Sequence, residues 1–321
     1  MKIRLTQIDG KLPNLALMKL SHYHKSVGDD VYFTNKIHKE MFEPDYDLVY
    51  GSSIFKFSEK ARNLLKKDFP LAFIGGTGTD KTTTVEELIG ESKYENYDYD
   101  IYPDFKHSIG FTQRGCRLKC KFCVVPTKEG KNVNSNSIYN IWRKGTEKKL
   151  HLLDNDFFGQ PNWQNVAKEI IDGDFKICLN QGINVRLINE EACEYLSNIK
   201  YYDDQFKTRR LYTAWDNFKD EKVFFKGVDM LEKAGIPPSH LMVYMLIGFD
   251  PTETWDRIFT RFNKMIDRNI KPYPMVYDKN NSELKKFQRW VIRRYYQFVK
   301  WEDYQKGYVQ TDKHTLDLFD D

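Results

Sequence analysis

Short apolar runs alternate with segments of helical period along nearly the whole chain, and that alternation limits the fold more than any other feature. In the first part, strand-like runs fall at residues 3–8, 30–34, 47–50 and 71–74, with helical spacing at 15–24, 59–67 and 82–89. A strand followed by a helix rejoins its sheet by crossing over one face, so this rhythm predicts parallel strands covered by helices. The rhythm restarts beyond residue 105, with strands expected at 108–112, 149–153, 176–179, 210–214, 241–247 and 273–277. Helical patterns accompany them at 138–143, 163–171, 190–196, 220–233, 254–268 and 282–301. The expected class is α/β: a partial (β/α)6 TIM-like barrel preceded by a small doubly wound, Rossmann-like domain. The polar stretch from Tyr94 to Pro103 reads as a linker, giving expected domains of 1–100 and 101–321.

Composition excludes several classes. Of 321 residues 40% are hydrophobic, which supports a packed core and argues against disorder. No run reaches the ~18 apolar residues that span a bilayer, so no membrane partner is expected. Residues 1–7 read as a strand and not as a targeting peptide, and five cysteines are an odd number. Both point to a reducing cytoplasm. A net charge of +4, from 50 basic and 46 acidic residues, demands neither nucleic acid nor an anionic substrate.

Cys116, Cys120 and Cys123 form a C-x3-C-x2-C triad in Gly110-Phe-Thr-Gln-Arg-Gly-Cys-Arg-Leu-Lys-Cys-Lys-Phe-Cys. Three such thiolates match three irons of a 4Fe–4S cluster and leave the fourth iron open, a coordination site suited to chemistry more than to simple electron transfer. A structural zinc site needs four ligands. The fourth would have to be Cys178, Cys193 or a distant His, the nearest upstream being His107. Arg114, Arg117, Lys119 and Lys121 make the loop basic, which is expected to favour thiolates.

With the aromatic Phe122 just before the last cysteine, the segment resembles the radical S-adenosylmethionine (radical SAM) superfamily, in particular members with an N-terminal cobalamin-binding-like domain. The resemblance implies an enzyme with a 4Fe–4S cluster and S-adenosylmethionine as cofactors. One electron splits the sulfonium to methionine and a 5′-deoxyadenosyl radical, which takes hydrogen from a substrate. It also implies a reducing partner such as flavodoxin or ferredoxin. A small-molecule substrate is preferred and nucleic acid stays open. The competing reading is a non-catalytic zinc- or nucleic-acid-binding protein.

Later strand ends extend the resemblance over about residues 105–280. Asp154-Asn-Asp-Phe-Phe-Gly stands where such members carry an Asp-rich turn, and Asp154 or Asp156 would accept from the methionyl ammonium; a solvated turn or helix cap is the alternative. In Asn180-Gln-Gly-Ile-Asn-Val-Arg, Gln181 and Asn184 would hold ribose hydroxyls and Arg186 the carboxylate, with a surface ion pair as the alternative for Arg186. Trp215 and Asp216 are expected to face the mouth of the barrel. Gly248 begins an apolar-Gly-x-x-x-Glu-Thr segment where backbone approaches closely, and Thr252 and Glu253 are expected to open a helix; an ordinary strand–Pro–helix junction is the alternative.

Other features read otherwise. Ile74-Gly-Gly-Thr-Gly-Thr-Asp-Lys-Thr-Thr looks like a phosphate-binding loop, but Asp80 stands where glycine must precede the lysine. It is read as a strand-end turn, at a place where doubly wound folds bind ligands. The N-terminal region lacks the Asp-x-His-x-x-Gly of one cobalamin class and has only about 100 residues, so a scaffold is preferred to a cobalamin site. Cys178 and Cys193 read as buried apolar positions, and no second cysteine triad exists for the second cluster of methylthio-transferring relatives. His22 and His24 are expected at the surface. The last helix carries Lys286, Arg289 and Arg293 on one face and Phe287, Val291, Tyr295 and Phe298 on another; packing is preferred there to nucleic-acid contact.

Overall fold

The computed structural model describes residues 1–81, 83–91, 95–129 and 136–306. Thr82 and Tyr94, where the expected helix and linker begin, lie outside the described residues. The chain divides into two compact units. The first comprises Met1–Gly110, Val124–Gly130 and Trp142–Glu147; the second takes Phe111–Cys123 and the described parts of 131–141 and of the chain from Lys148. Both are α/β with parallel strands.

The first unit holds β1 (Lys2–Gln7), α1 (Leu15–Ser26), β2 (Asp30–Thr34), β3 (Leu48–Ser52), α2 (Glu59–Asp68), β4 (Phe73–Gly75), α3 (Val85–Ile89), β5 (Ser108–Gly110) and α4 (Val125–Lys128). Four strands lie parallel in the order β2-β1-β3-β4. Successive strand residues face opposite sides of a sheet. Leu5 and its neighbour Tyr50 pack with Leu17 and Leu20 of α1, whereas Val49 and Ile74 pack with Leu65 of α2, so helices cover both faces. The α3 helix starts at Val85 because Thr84 and Glu87 form a reciprocal capping box. His24 is buried, not at the surface: its Nδ1 lies 2.7 Å from Asp29 Oδ2.

The glycine turn after β4 packs against its own unit. Gly76 has φ of 104°, and a Cβ there would lie 2.4 Å from the Ser53 carbonyl oxygen; at Gly78 it would lie 2.5 Å from that of Phe55. The Gly78 amide donates to Ser53 O at 2.9 Å. Beside it, Asp9 accepts from Ser53 Oγ at 2.8 Å and from the amides of Ile54 and Phe55 at 2.7 and 3.3 Å. The glycines thus serve backbone-to-backbone approach at this strand end.

In the second unit, α5 (Ile138–Ile141) precedes β6 (Lys149–Leu152), α6 (Trp163–Asp172), β7 (Lys176–Cys178), α7 (Glu190–Asn198) and β8 (Lys200–Tyr201). Then come β9 (Leu211–Ala214), α8 (Glu221–Lys233), β10 (Leu241–Ile247), α9 (Trp255–Asp267), β11 (Lys271–Val276), α10 (Ser282–Ile292) and α11 (Trp301–Gln305). β6, β7 and β8 run parallel side by side, as do β9, β10 and β11. The loop after β7 ties the two sets, because the Ile183 amide donates to Tyr212 O of β9 at 2.8 Å. Cys178 and Cys193 are buried among core side chains.

The single last helix expected from the sequence is broken. Arg294 turns into the left-handed region at φ 56°, and α11 begins where the expected helix would end. Folding back buries Trp301, whose ring lies 5.5 Å from those of Phe287 and Trp255, and lets Trp290 Nε1 donate to Val299 O at 2.8 Å. That aromatic burial outweighs the backbone strain of one residue. Phe298, expected on the apolar face, is 60% exposed.

Candidate active site

The cysteine loop leaves the end of β5 and turns at Gly115, where φ is 86°. Cys116, Cys120 and Cys123 are all free thiols and all half-buried. The Leu118 amide points at Cys116 Sγ from 3.4 Å, and the Cys123 amide donates to Cys120 O at 3.0 Å, closing the turn between the last two cysteines. The loop's basic residues do not lower the Cys116 and Cys120 thiols as expected. Burial pushes Cys116 and Cys120 up, and the cation that opposes this at Cys120 is Arg186, from another loop. Arg117 is engaged with Asp156, and the Arg114 guanidinium lies 4.3 Å over the Phe111 ring.

The turn after β6 lies against this loop. Asp154 and Asp156 are each 1% exposed, which overturns the solvated-turn reading. Asp154 Oδ1 accepts from Thr112 Oγ1 at 2.8 Å and from the Gln113 amide at 2.6 Å. Burial raises the Asp154 carboxyl to about 6 in spite of these bonds. Asp156 accepts from Arg117 Nε at 2.8 Å, Nη2 at 3.1 Å and the backbone amide at 3.2 Å.

Arg186 sits in a short 3-10 turn after β7, against the Cys120 thiol, and also donates to Asp220. The ion-pair reading therefore holds for it, yet the pair faces the cysteine loop. Asn184 Oδ1 accepts from Arg186 Nε at 3.4 Å, while Gln181 is exposed and bonds only its neighbour Asn180 among the contacts seen here. Asp216 follows β9 and accepts from the Leu246 amide at 3.1 Å; burial raises its carboxyl, against the nearby Arg186 and Arg261. Trp215 does not face the mouth: it is fully buried and stacked on Phe224 at 5.0 Å. Its indole fits the core because its one polar group is satisfied there, Nε1 donating to Asn217 O at 2.9 Å.

Gly248 has φ of 78°, and a Cβ would lie 2.6 Å from Leu284 Cδ1. Its amide donates to Glu253 Oε2 at 2.9 Å. Glu253 therefore turns inward and does not open a helix; Thr254 caps α9 instead. Next to Gly248, Phe249 meets Phe122 edge-to-face at 5.4 Å and Tyr277 at 4.9 Å.

Sequence reading missed four members of this network. Arg261 is fully buried; it donates to the carbonyls of Trp215, Asp216 and Leu246 at 2.9, 3.1 and 3.0 Å and pairs with Glu253. The available signal was an arginine at a core position of an amphipathic helix, beside Ile258, Phe262 and Met265. Gln113, Gln160 and Asp220 carried no such signal.

The donor set fits an iron–sulfur cluster: three free thiols within eight residues, each able to bind its own iron. Among the described residues no three His, Cys, Asp or Glu side chains group as a single metal ion requires. For an amino acid carrying both ammonium and carboxylate, Asp216 and Arg186 offer the two complementary charges within one network.

No family model matches the chain. The chain is 25% identical over 163 residues to the tRNA-2-methylthio-N(6)-dimethylallyladenosine synthase of Sulfurihydrogenibium sp. (strain YO3AOP1), covering 44% of this chain and 36% of that protein. It is 28% identical over 137 residues to the ribosomal protein uS12 methylthiotransferase RimO of Leptospira biflexa serovar Patoc, covering 40% of this chain and 28% of that one. The matched region thus spans about a third of the length of these curated relatives. The chain thus resembles these two enzymes, and with its cysteine triad it resembles the radical SAM class of enzyme. Among the described residues no helix is long and apolar enough to cross a membrane.

Proposed function

We propose that the chain is a radical SAM enzyme in which Cys116, Cys120 and Cys123 hold a 4Fe–4S cluster. The observation that carries this reading is the set of three free, half-buried thiols on one loop, backed by Arg186 from another strand end. A bound cluster supplies one electron for reductive cleavage of S-adenosylmethionine to methionine and a 5′-deoxyadenosyl radical.

The chain's own residues orient and shield. Arg186 and Asp216 take the carboxylate and ammonium, and Asn184 steadies the Arg186 fork. Phe122, packed on Phe249 next to Gly248, would flank the adenosine, and the exposed Gln181 would hold ribose hydroxyls. The strands β6 to β11 belong to a partial barrel with this site at their C-terminal ends. The N-terminal domain, residues 1–100, serves in this reading as a Rossmann-like scaffold, which its glycine turn supports by packing against its own backbone. Electrons come from a small reductase-linked carrier such as flavodoxin or ferredoxin. The substrate in this reading is a small molecule, with nucleic acid as the alternative; methylthio transfer with a second cluster is not proposed, since the two remaining cysteines are buried in the core.

The test is anaerobic reconstitution with iron and sulfide, followed by dithionite and S-adenosylmethionine, reading 5′-deoxyadenosine by mass spectrometry. Cluster-dependent product supports the enzyme. A colourless protein that retains zinc and yields no product overturns it.

A further inference from the structure

The two carboxylates after β6 are tied to the start of the cysteine loop. Both Asp156 oxygens are committed to Arg117, and one of its bonds reaches the amide of the peptide that follows Cys116. Asp154 Oδ1 is committed to Thr112 and Gln113, at the start of the same loop. Gln113 Nε2 donates to the Asp156 carbonyl, and Gln160 Nε2 to Thr112 Oγ1 at 3.0 Å. These seven bonds join residues 112–117 to residues 154–160, about forty positions apart. A cysteine loop with few regular backbone bonds has many conformations, and ordering it during cluster assembly costs entropy. Bonds that the chain itself supplies to this loop remove part of that cost.

We propose that Asp154 and Asp156 are positioning residues that fix the first arm of the cysteine loop through Thr112, Gln113 and Arg117, so that the Cys116 thiol is set before any cluster binds. This rests on the cluster reading above. The clamp also removes one positive charge from the site, because the Arg117 guanidinium answers Asp156 and not the thiolates. Arg186, from another loop, is the cation beside Cys120. The Arg117 side chain is 41% exposed while Asp156 is buried, so loss of the arginine leaves a buried carboxylate unpaired.

The experiment uses the full chain with Asp156→Asn, Arg117→Gln and Arg117→Lys. Two readouts are taken: the rate of Cys116 alkylation by iodoacetamide in the metal-free protein, by peptide mass spectrometry, and iron bound per chain after reconstitution. Asp156→Asn and Arg117→Gln are expected to speed Cys116 alkylation on the order of tenfold and to lower iron uptake, with Cys193 still protected. Arg117→Lys is expected to restore part of the protection. Alkylation and iron content within about twofold of the natural chain in both variants would overturn the clamp. If Asp156→Asn does not fold, Arg117→Gln decides, since it alters a part-exposed side chain. A natural chain that takes up no iron overturns the cluster reading instead, and the alkylation rates still judge the clamp.

Discussion

The two units use the same construction, parallel strands with helices between them, yet treat their strand ends oppositely. In the first unit the loops after β1, β3 and β4 close on one another: Asp9 holds Ser53, Ile54 and Phe55, Arg62 holds Ser53 and Phe55, and two glycines press against backbone. In the second unit the strand ends leave three thiols half-exposed, with an Arg186–Asp220 pair and the buried Arg261 paired to Glu253 close to the same loops. A fold places loops at strand ends; whether the polar groups there consume one another decides whether a ligand has anything to bind.

That contrast can be broken at several points. Replacing a triad thiol should have the largest effect: Cys120→Ala should abolish the iron-dependent visible absorption after reconstitution and any S-adenosylmethionine cleavage. Retained cleavage would mean that the cysteines are bystanders. Next, Arg261→Ala should destabilise the chain by about 3–5 kcal/mol, because three carbonyls and Glu253 lose a buried partner; urea unfolding measures this. A loss below about 1 kcal/mol would show the strand ends to be held by other means.

In the first unit, Gly76→Ala should cost about 2–3 kcal/mol, since the methyl would meet the Ser53 carbonyl at a positive φ. Titration with a nucleoside triphosphate should show no binding to the natural chain. Saturable binding lost in Gly76→Ala would make the first unit an open site and end the contrast. The smallest effect is a pH slope. Asp154 titrates at about 6 when folded and near 3.8 when unfolded, so between these values the folded chain holds a proton that the unfolded chain has released. Its contribution is therefore favourable below about pH 4 and is lost as pH rises to 6, by on the order of 2–3 kcal/mol. Unfolding at pH 4.5 and pH 7 should show this loss in the natural chain and not in Asp154→Asn, whose Oδ1 still accepts from Thr112 and Gln113.

What could be read from sequence was local. β10 follows its apolar run over Leu241–Ile247 with no shift at either end, and the cysteine triad is visible because its members lie within eight residues. The α3 start was also local: Thr84 and Glu87 show the Thr-x-x-Glu capping spacing, a stronger signal than the apolar period that suggested Thr82. What could not be read depends on distant partners. The burial of Asp154 and Asp156 follows from loop residues about forty positions upstream. The break at Arg294 has no glycine or proline to mark it; it follows from the aromatic cluster that accepts Trp301. Trp215 was misplaced for a related reason, since a strand-end residue can turn its side chain into the core while its carbonyl stays at the rim.

Arg261 has a consequence for how this end of the molecule opens. One guanidinium spans a carbonyl just past β9, a carbonyl near the end of β10 and the carboxylate that holds the Gly248 amide. Fraying at β9 therefore loosens β10 and the glycine loop with it, and none of the three can open alone at small cost. The rim of the site behaves as one cooperative element, closed until all of these bonds are released together.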